Sequence, residues 1–394
     1  MIDLEKVRSE TPGCSTKIHF NNAGASLMPS AVIDSIQKYI LLEGLTGGYE
    51  TEDLQTAEIN GFYKSLATLI NCEPKNIAFT SSATNSFARA LSCIPFKEGD
   101  TILLANEDYI SNQFAFLSLQ KRFNLKIIRA SSLPSGGVDV GDMKRLMDQH
   151  HPRLVSLTHV PTNSGLIQPI EEVGRLCRER DILYLVDACQ SVGQLPIDVT
   201  KIQCDFLSAT FRKFLRGPRG TGFLFISDTV FRKNLEPLFI DMRGAQWTAI
   251  NEYTPQPNAK RFEDWEFPYA LVIGAKASID YALQIGLENI RDRNIILCEK
   301  IREKLAKIND LEILDKGEKL SSIITVKVPK WKPNEFMEAL RTRNINTSIS
   351  YKGFAFIDFE SKGVDWALRI SPHYYNTEEE VDILINTLKE LRVS

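Results

Sequence analysis

The feature that most restricts what this chain can fold into is an alternation. From about residue 18 to about residue 250, short apolar, β-branched runs take turns with longer stretches of helical spacing. That pattern predicts an α/β domain on a mostly parallel sheet, because parallel strands need a long crossover and the crossover is usually a helix. Strands are expected at 77–80, 101–105, 154–160, 182–187, 205–210 and 222–226. Between two of them, residues 169–181 (PIEEVGRLCRERD) open on proline and carry acids in the first turn, as a helix of a βαβ unit should.

Beyond residue 268 the pattern changes. A long helical stretch, 270–308, is followed by an apolar run at 323–328, a charged helix at 334–343, and further strand-like runs at 344–350 and 366–370. The last helix, 377–393, starts on Thr377-Glu378-Glu379-Glu380, which resembles a capping box. The expected division is a large α/β domain over 18–265 and a smaller α+β domain made of 1–17 and 266–394, joined by a helix.

A net charge of -3 gives no global attraction to nucleic acid or to an anionic membrane, so any anion site must be built locally. The seven cysteines are scattered, without C-x-x-C spacing, and read as free thiols of a reducing compartment. The five histidines do not join them at metal-ligand spacing, and no metal site is expected. The N-terminal residues lack a basic segment and an apolar core, and no stretch has the ~18 uninterrupted apolar residues of a membrane span. A cytoplasmic protein with a small-molecule ligand is the expectation.

The unusual residues fall just past the C-terminal ends of expected strands, where open α/β sheets bind ligands. At Thr80-Ser81-Ser82-Ala83-Thr84-Asn85 a strand gives way to small hydroxyl residues and a helix start, which suits a phosphate; an ordinary Ser/Thr-capped helix would read the same. At Leu185-Val186-Asp187 an apolar strand ends on a carboxylate that needs a cationic partner or a turn to cap. At Thr210-Phe211-Arg212-Lys213-Phe214 a strand delivers a lysine among apolar residues and arginines. Desolvation and nearby cations disfavour its ammonium and make it a nucleophile able to form a Schiff base. A basic surface turn is the bland alternative, and the apolar neighbours and acidic chain argue against it. Neither a Walker-type phosphate loop nor a strand-linked G-x-G-x-x-G is present, which removes the usual nucleotide and NAD readings.

The combination Val186-Asp187-Ala188-Cys189-Gln190, Arg212-Lys213 and Arg216-Gly217-Pro218-Arg219-Gly220-Thr221-Gly222 resembles the class V aminotransferase group of fold-type I pyridoxal 5'-phosphate (PLP) enzymes. That group includes cysteine desulfurases and isopenicillin-N-epimerase-like proteins, and the resemblance extends from Phe20-Asn21-Asn22-Ala23-Gly24 to Arg369-Ile370-Ser371-Pro372-His373. It implies a fold-type I PLP-dependent transferase fold, with a mostly parallel seven-stranded sheet and a smaller α+β C-terminal domain. By the same resemblance Lys213 carries the cofactor as a Schiff base, Asp187 pairs with the pyridine nitrogen, and Gln190 bonds the phenolic oxygen. Ala83, Thr84, Thr210 and Arg212 match phosphate positions; Tyr109 stands where desulfurases stack a histidine on the ring. Asn163, with Thr162 as the neighbouring choice of register, faces the cofactor; Arg369 and Asn22 match substrate positions, Arg369 for the α-carboxylate. A homodimer is also implied, with Trp247 and the segment 261–265 reaching across its interface.

One departure bears on the reaction. Desulfurases carry a nucleophilic cysteine on a loop of the small domain, and here that loop, 346–359 (NTSISYKGFAFIDF), has none. What remains is chemistry that Lys213 and the ring can perform without a second nucleophile: β-elimination by a C-S lyase on a cysteine conjugate or sulfoxide, or alternatively transamination or epimerisation. The phrases at 47–50, 261–266 and 371–375 look like those of cysteine-free lyases of this group, including hercynylcysteine-sulfoxide-type lyases. A PLP-fold binding protein without turnover is the reading from another class, and the intact set Asp187, Gln190, Lys213 and Arg369 weighs against it.

Overall fold

Seven strands hydrogen-bond into one sheet in the computed structural model, which describes residues 2–393. They are β1 (Ile77–Thr80), β2 (Thr101–Leu104), β3 (Lys126–Arg129), β4 (Leu154–Thr158), β5 (Leu183–Asp187), β6 (Phe206–Thr210) and β7 (Gly222–Ile226). Their order is β1-β7-β6-β5-β4-β2-β3, and β7 alone runs against its neighbours. Every residue of β1, β2 and β4 to β7 is buried, because helices cover both faces. Alternate side chains divide accordingly. Leu103, Val155, Val186, Leu207 and Phe223 enter one apolar cluster, and Leu104, Leu154, Leu185, Phe206 and Leu224 enter the cluster on the opposite face.

The strand that sequence patterning does not announce is β3. Lys126 and Arg129 bracket only two apolar residues, as suits an edge strand that is half exposed. The expected helix over 270–308 is two helices, Tyr269–Ile285 and Leu287–Leu305, bent by 77° at Gly286. Gly286 takes φ 88°, and its N–H caps the first helix on the Ala282 carbonyl. An L-residue resists that conformation and glycine does not.

This bend also marks a division of packing that differs from the expected boundary near residue 266. The first of the two helices buries Val272, Ala275 and Ile279 in the large-domain core, and Val7 joins them there. Phe20, from the segment assigned to the large domain, packs instead with Leu297, Ile301, Ile324, Leu368 and Leu384 of the small core. The small domain is built on an antiparallel sheet in the order Glu312–Ile313, Ile324–Lys327, Trp366–Ile370, Ser348–Tyr351. Its last helix, Glu378–Val393, begins with a reciprocal cap: Glu380 N–H donates to Thr377 Oγ1 at 3.1 Å and Thr377 N–H to Glu380 Oε2 at 3.2 Å. Met1 and Ser394, which the expected boundaries include, lie outside the described residues. No single helix among the described residues is long and apolar enough to cross a membrane.

Candidate active site

The C-terminal ends of β1, β4, β5 and β6 open on one cavity of about 320 Å³, lined by Ser82, Ala83, Thr84, Tyr109, Thr162, Asp187, Gln190, Thr210, Arg212 and Lys213, among others. Lys213 is 8% exposed. Burial, reinforced by the Arg212 and Arg369 cations and opposed by Asp187 and Cys189, lowers its amine to about 8. Its Nζ lies 6.0 Å from the centre of the Tyr109 ring. Such a lysine has a neutral, nucleophilic amine in mildly alkaline water.

Asp187 ends β5 with both carboxylate oxygens engaged. Oδ1 accepts from the Cys189 N–H at 2.9 Å, and Oδ2 accepts from Asn112 Nδ2 at 2.9 Å. Asn112 also donates to Asp108 Oδ1 at 3.0 Å, so one amide bridges two buried carboxylates. Asp108 accepts further bonds from Thr158 Oγ1 and the Tyr109 N–H, and burial raises its carboxyl above the ordinary range. Sequence reading places weight on Tyr109 and passes over Asp108 and Asn112, although the Asp-x-x-x-Asn spacing across a helix start was the available signal. They sit together because Tyr109 caps the helix Ile110–Phe123, whose first turn turns Asn112 back toward β5.

The other wall is a cup for an anion. Helix Ala83–Ser92 starts here, and the Ser82 hydroxyl accepts from the Asn85 N–H, which leaves the other first-turn N–H groups facing the cavity end. This approach depends on Gly222: a Cβ there would stand 2.6 Å from the Ser82 carbonyl carbon and 2.7 Å from the Ala83 nitrogen. Arg212 and Arg219 both line the cavity, neither makes an ion pair among the described residues, and burial with Arg219 nearby lowers the Arg212 guanidinium. Two unpaired cations beside a helix start form a site that a dianion would satisfy. Arg219 is a third residue that sequence reasoning left without a role.

Arg369 reaches this site from the small sheet. Its Nη1 donates to Thr162 Oγ1 at 2.7 Å and Nη2 to Asn21 Oδ1 at 3.3 Å, while Nε is buried without a partner. Thr162 also accepts from Gln190 Nε2 at 2.8 Å, and Gln190 Oε1 is buried and unpartnered. Three sequence expectations shift here. Asn22 does not face the cavity: its amide donates to the His19 and Ser371 carbonyls and accepts from the Tyr375 hydroxyl, so the neighbouring Asn21 meets Arg369. Asn163 turns into an adjoining cavity, and Thr162 takes the position beside Gln190. Within 261–265, Arg261, Phe262 and Glu263 are buried in their own subunit, Glu263 accepting from Phe79 N–H, Tyr63 and Arg243, which leaves Trp265 exposed and Trp247 more so.

With this geometry in hand, comparison with known proteins adds that the class-V aminotransferase family matches residues 18–384. The chain belongs to that family. Relatives named probable cysteine desulfurases are 27% identical in Methanothermobacter thermautotrophicus, over 98% of each chain, and 29% identical in Pyrococcus abyssi, over 98% of this chain and 97% of the relative. An apo cysteine desulfurase from Thermococcus onnurineus NA1 superposes with a TM-score of 0.92 at 25% identity, covering 100% of this chain and 99% of the other. A cystine C-S lyase solved with its product, cysteine persulfide, gives 0.86 at 21% identity, covering 96% and 99%. A related solved protein carries glycine covalently linked to its PLP.

In a class-V aminotransferase fold the cavity has the parts PLP needs. Two arginines and a helix start would hold a phosphate, Asp187 would meet a ring nitrogen, Lys213 would carry the carbonyl carbon, and the orphaned Gln190 and Arg369 atoms face groups yet to be supplied.

Proposed function

We propose that this class-V enzyme is a PLP-dependent C-S β-lyase that acts on a cysteine conjugate or cysteine sulfoxide. The observation that carries the reading is the pairing of a full cofactor cradle with a small-domain loop, 346–359, that offers serine and aromatic side chains but no thiol to accept sulfur. A persulfide relay through that loop has no nucleophile. Cys189 does not replace it: burial and the adjacent Asp187 push its thiol well above the ordinary range.

The chain's own groups divide the work. Ser82, Thr84, Thr210, Arg212 and Arg219 would hold the cofactor phosphate, and Asp187, fixed by Cys189 N–H and Asn112, would keep a proton on the ring nitrogen. Bound PLP would supply an electron sink for the pair left at Cα. Arg369 would orient the substrate carboxylate through its planar fork, and the freed Lys213 amine would take the α-proton. The C–S bond at Cβ then breaks with its electron pair leaving on sulfur. In sum, an S-substituted cysteine and water give pyruvate, ammonia and a thiol, and a cysteine sulfoxide and water give pyruvate, ammonia and a sulfenic acid. We place the site in a homodimer, because Trp247 and Ile250 on the hairpin Ala245–Ala249/Glu252–Pro255 are 78% and 87% exposed.

The test is a product analysis of PLP-loaded protein given S-substituted cysteines, a cysteine sulfoxide, L-cysteine and L-alanine. Pyruvate with an equal amount of thiol, or of sulfenic acid from the sulfoxide, absent with Lys213→Ala, supports the lyase. Alanine formed from cysteine would instead mean desulfuration, a new keto acid without thiol would mean transamination, and racemised substrate would mean epimerisation; each would overturn the reading.

A further inference from the structure

Behind the wall made by Tyr109 and Thr162 lies a second cavity, of about 380 Å³. The two chambers share that wall residue by residue: Tyr109 and Thr162 line the cofactor cradle, while Asp108, Ile110, Pro161 and Asn163 line the second cavity. Strand Ser348–Tyr351 pairs with strand Trp366–Ile370 with Ser348 opposite Arg369, and it runs directly into the loop whose Phe354 and Phe356 form the outer wall of the cavity.

Those aromatic side chains make only peripheral contacts: Phe354 packs edge-on against Tyr351 with ring centres 5.9 Å apart, and Lys352 Nζ lies 5.4 Å from the centre of the Phe356 ring. The helix Phe356–Lys362 is anchored by Phe359, which is fully buried with Leu314, Val364 and Ala367, and by the Asp358–Lys362 ion pair at 2.8 Å. Phe356 and Phe354, by contrast, are 65% and 50% exposed, and Phe114 across the cavity is 61% exposed. Most polar groups at the floor are engaged among themselves: Asp108 by Thr158 and Asn112, Arg129 Nη2 by Gln113, Asp358 by Lys362, while Arg129 Nε is buried without a partner. Burial also raises the Glu107 and Asp358 carboxyls above their ordinary range, toward the neutral form. Besides the Arg129 Nε–H, the wall offers exposed ring surface, which favours another ring packed edge-on or offset.

We propose that this cavity is the subsite for the sulfur substituent of the substrate, and that it takes an aromatic thioether group such as S-aryl or S-arylmethyl. The inference rests on the lyase reading and narrows it to a substrate class. Arg369 bonds Thr162, whose neighbour Asn163 lines the second cavity, so a substrate carboxylate that took over the Arg369 N–H groups would lie against the wall the two chambers share, and a methyl group as its sulfur substituent would leave the ring surfaces uncovered.

The experiment compares S-benzyl-L-cysteine with S-methyl-L-cysteine. Thiol release gives kcat/KM for wild type, Phe356→Ala and Phe354→Ala, and calorimetry on PLP-loaded Lys213→Ala gives the affinity of each ligand without turnover. We expect wild type to favour the benzyl compound by about tenfold or more, and Phe356→Ala to lose about fivefold or more on it while changing the methyl compound by less than about twofold. The methyl compound thereby reports whether the variants are folded. Equal preference in wild type, or equal losses on both ligands, overturns the subsite. If no thiol is released from either ligand but the affinity ratio and its collapse in Phe356→Ala hold, the lyase reading fails and the subsite stands. If Phe356→Ala instead weakens self-association in sedimentation and leaves the ligand ratio unchanged, a second copy occupies the cavity and the proposal falls.

Discussion

Lys213 is an amine held in a place where its charge is disfavoured, and that has a direct chemical reading. A free lysine side chain titrates near ~10.4, so only a small fraction is nucleophilic in neutral water. With the amine lowered to about 8, the neutral fraction grows as pH rises through that value. Capture of added PLP by the apo-protein, followed by the growth of visible absorbance, should therefore speed up between about pH 7 and 9 and level off above it. A rate still climbing steadily toward pH 10.5 would contradict the assigned environment. Asn112 offers a second residue-scale check. Asn112→Ala removes the donor that fixes Asp187 Oδ2 and leaves Asp108 and Asp187 facing one another without a bridge. PLP affinity should fall by about tenfold, with the visible band shifting its pH dependence, while Asn112→Asp, which adds a third carboxylate, should be worse. Asp187 and Lys213 were legible in the sequence because each is an ionisable group delivered by an apolar strand, a placement that physical chemistry tolerates only with a partner. Asn22 and Asn163 were misread for the complementary reason. Each has a neighbour of similar chemistry, and both lie in turns, where no regular period says which of two adjacent side chains faces the cavity.

At the scale of elements, the position of the helix Ala83–Ser92 is set by a missing side chain on the strand beneath it. Gly222→Ala would put a methyl group within 2.6 Å of backbone that cannot rotate away. The helix start must then move, and we expect weaker PLP binding together with a stability loss of about 1–3 kcal/mol, read by PLP titration and by urea unfolding of the apo-protein. An unchanged PLP affinity would mean that the first turn does not hold the phosphate. The strands that carry the site were readable from short, mostly apolar runs, since a strand covered on both faces carries few polar side chains to confuse the pattern. The bend at Gly286 was not, because apolar spacing continues across it and a single interior glycine costs a helix only about 1 kcal/mol. What decides the break is docking: the first helix lies on the large core, while the second keeps only Leu287 and Ile290 there and carries on to the small core with Leu297 and Ile301, and that is information held by residues far away in the chain.

At the scale of the whole molecule, the proposed homodimer would have to cover the most exposed large apolar side chains. Trp247, Ile250, Phe239 and Leu45 are each more than three-quarters exposed, which points to a self-complementary partner. Sedimentation should give a dimer, and Trp247→Glu should shift it toward monomer at micromolar concentration; a monomeric wild type would remove the dimer from the proposal. The two cores of the subunit meet at the guanidinium of Arg369, which grows from the small sheet and grips Thr162 and Asn21. A ligand carboxylate that takes over those N–H groups exchanges a permanent tether for one that comes and goes with the ligand. Backbone amides of the strand Trp366–Ile370 would then exchange with deuterated solvent at a rate set by ligand concentration, so that a slow clock in the small sheet would register each arrival in a chamber it does not enclose.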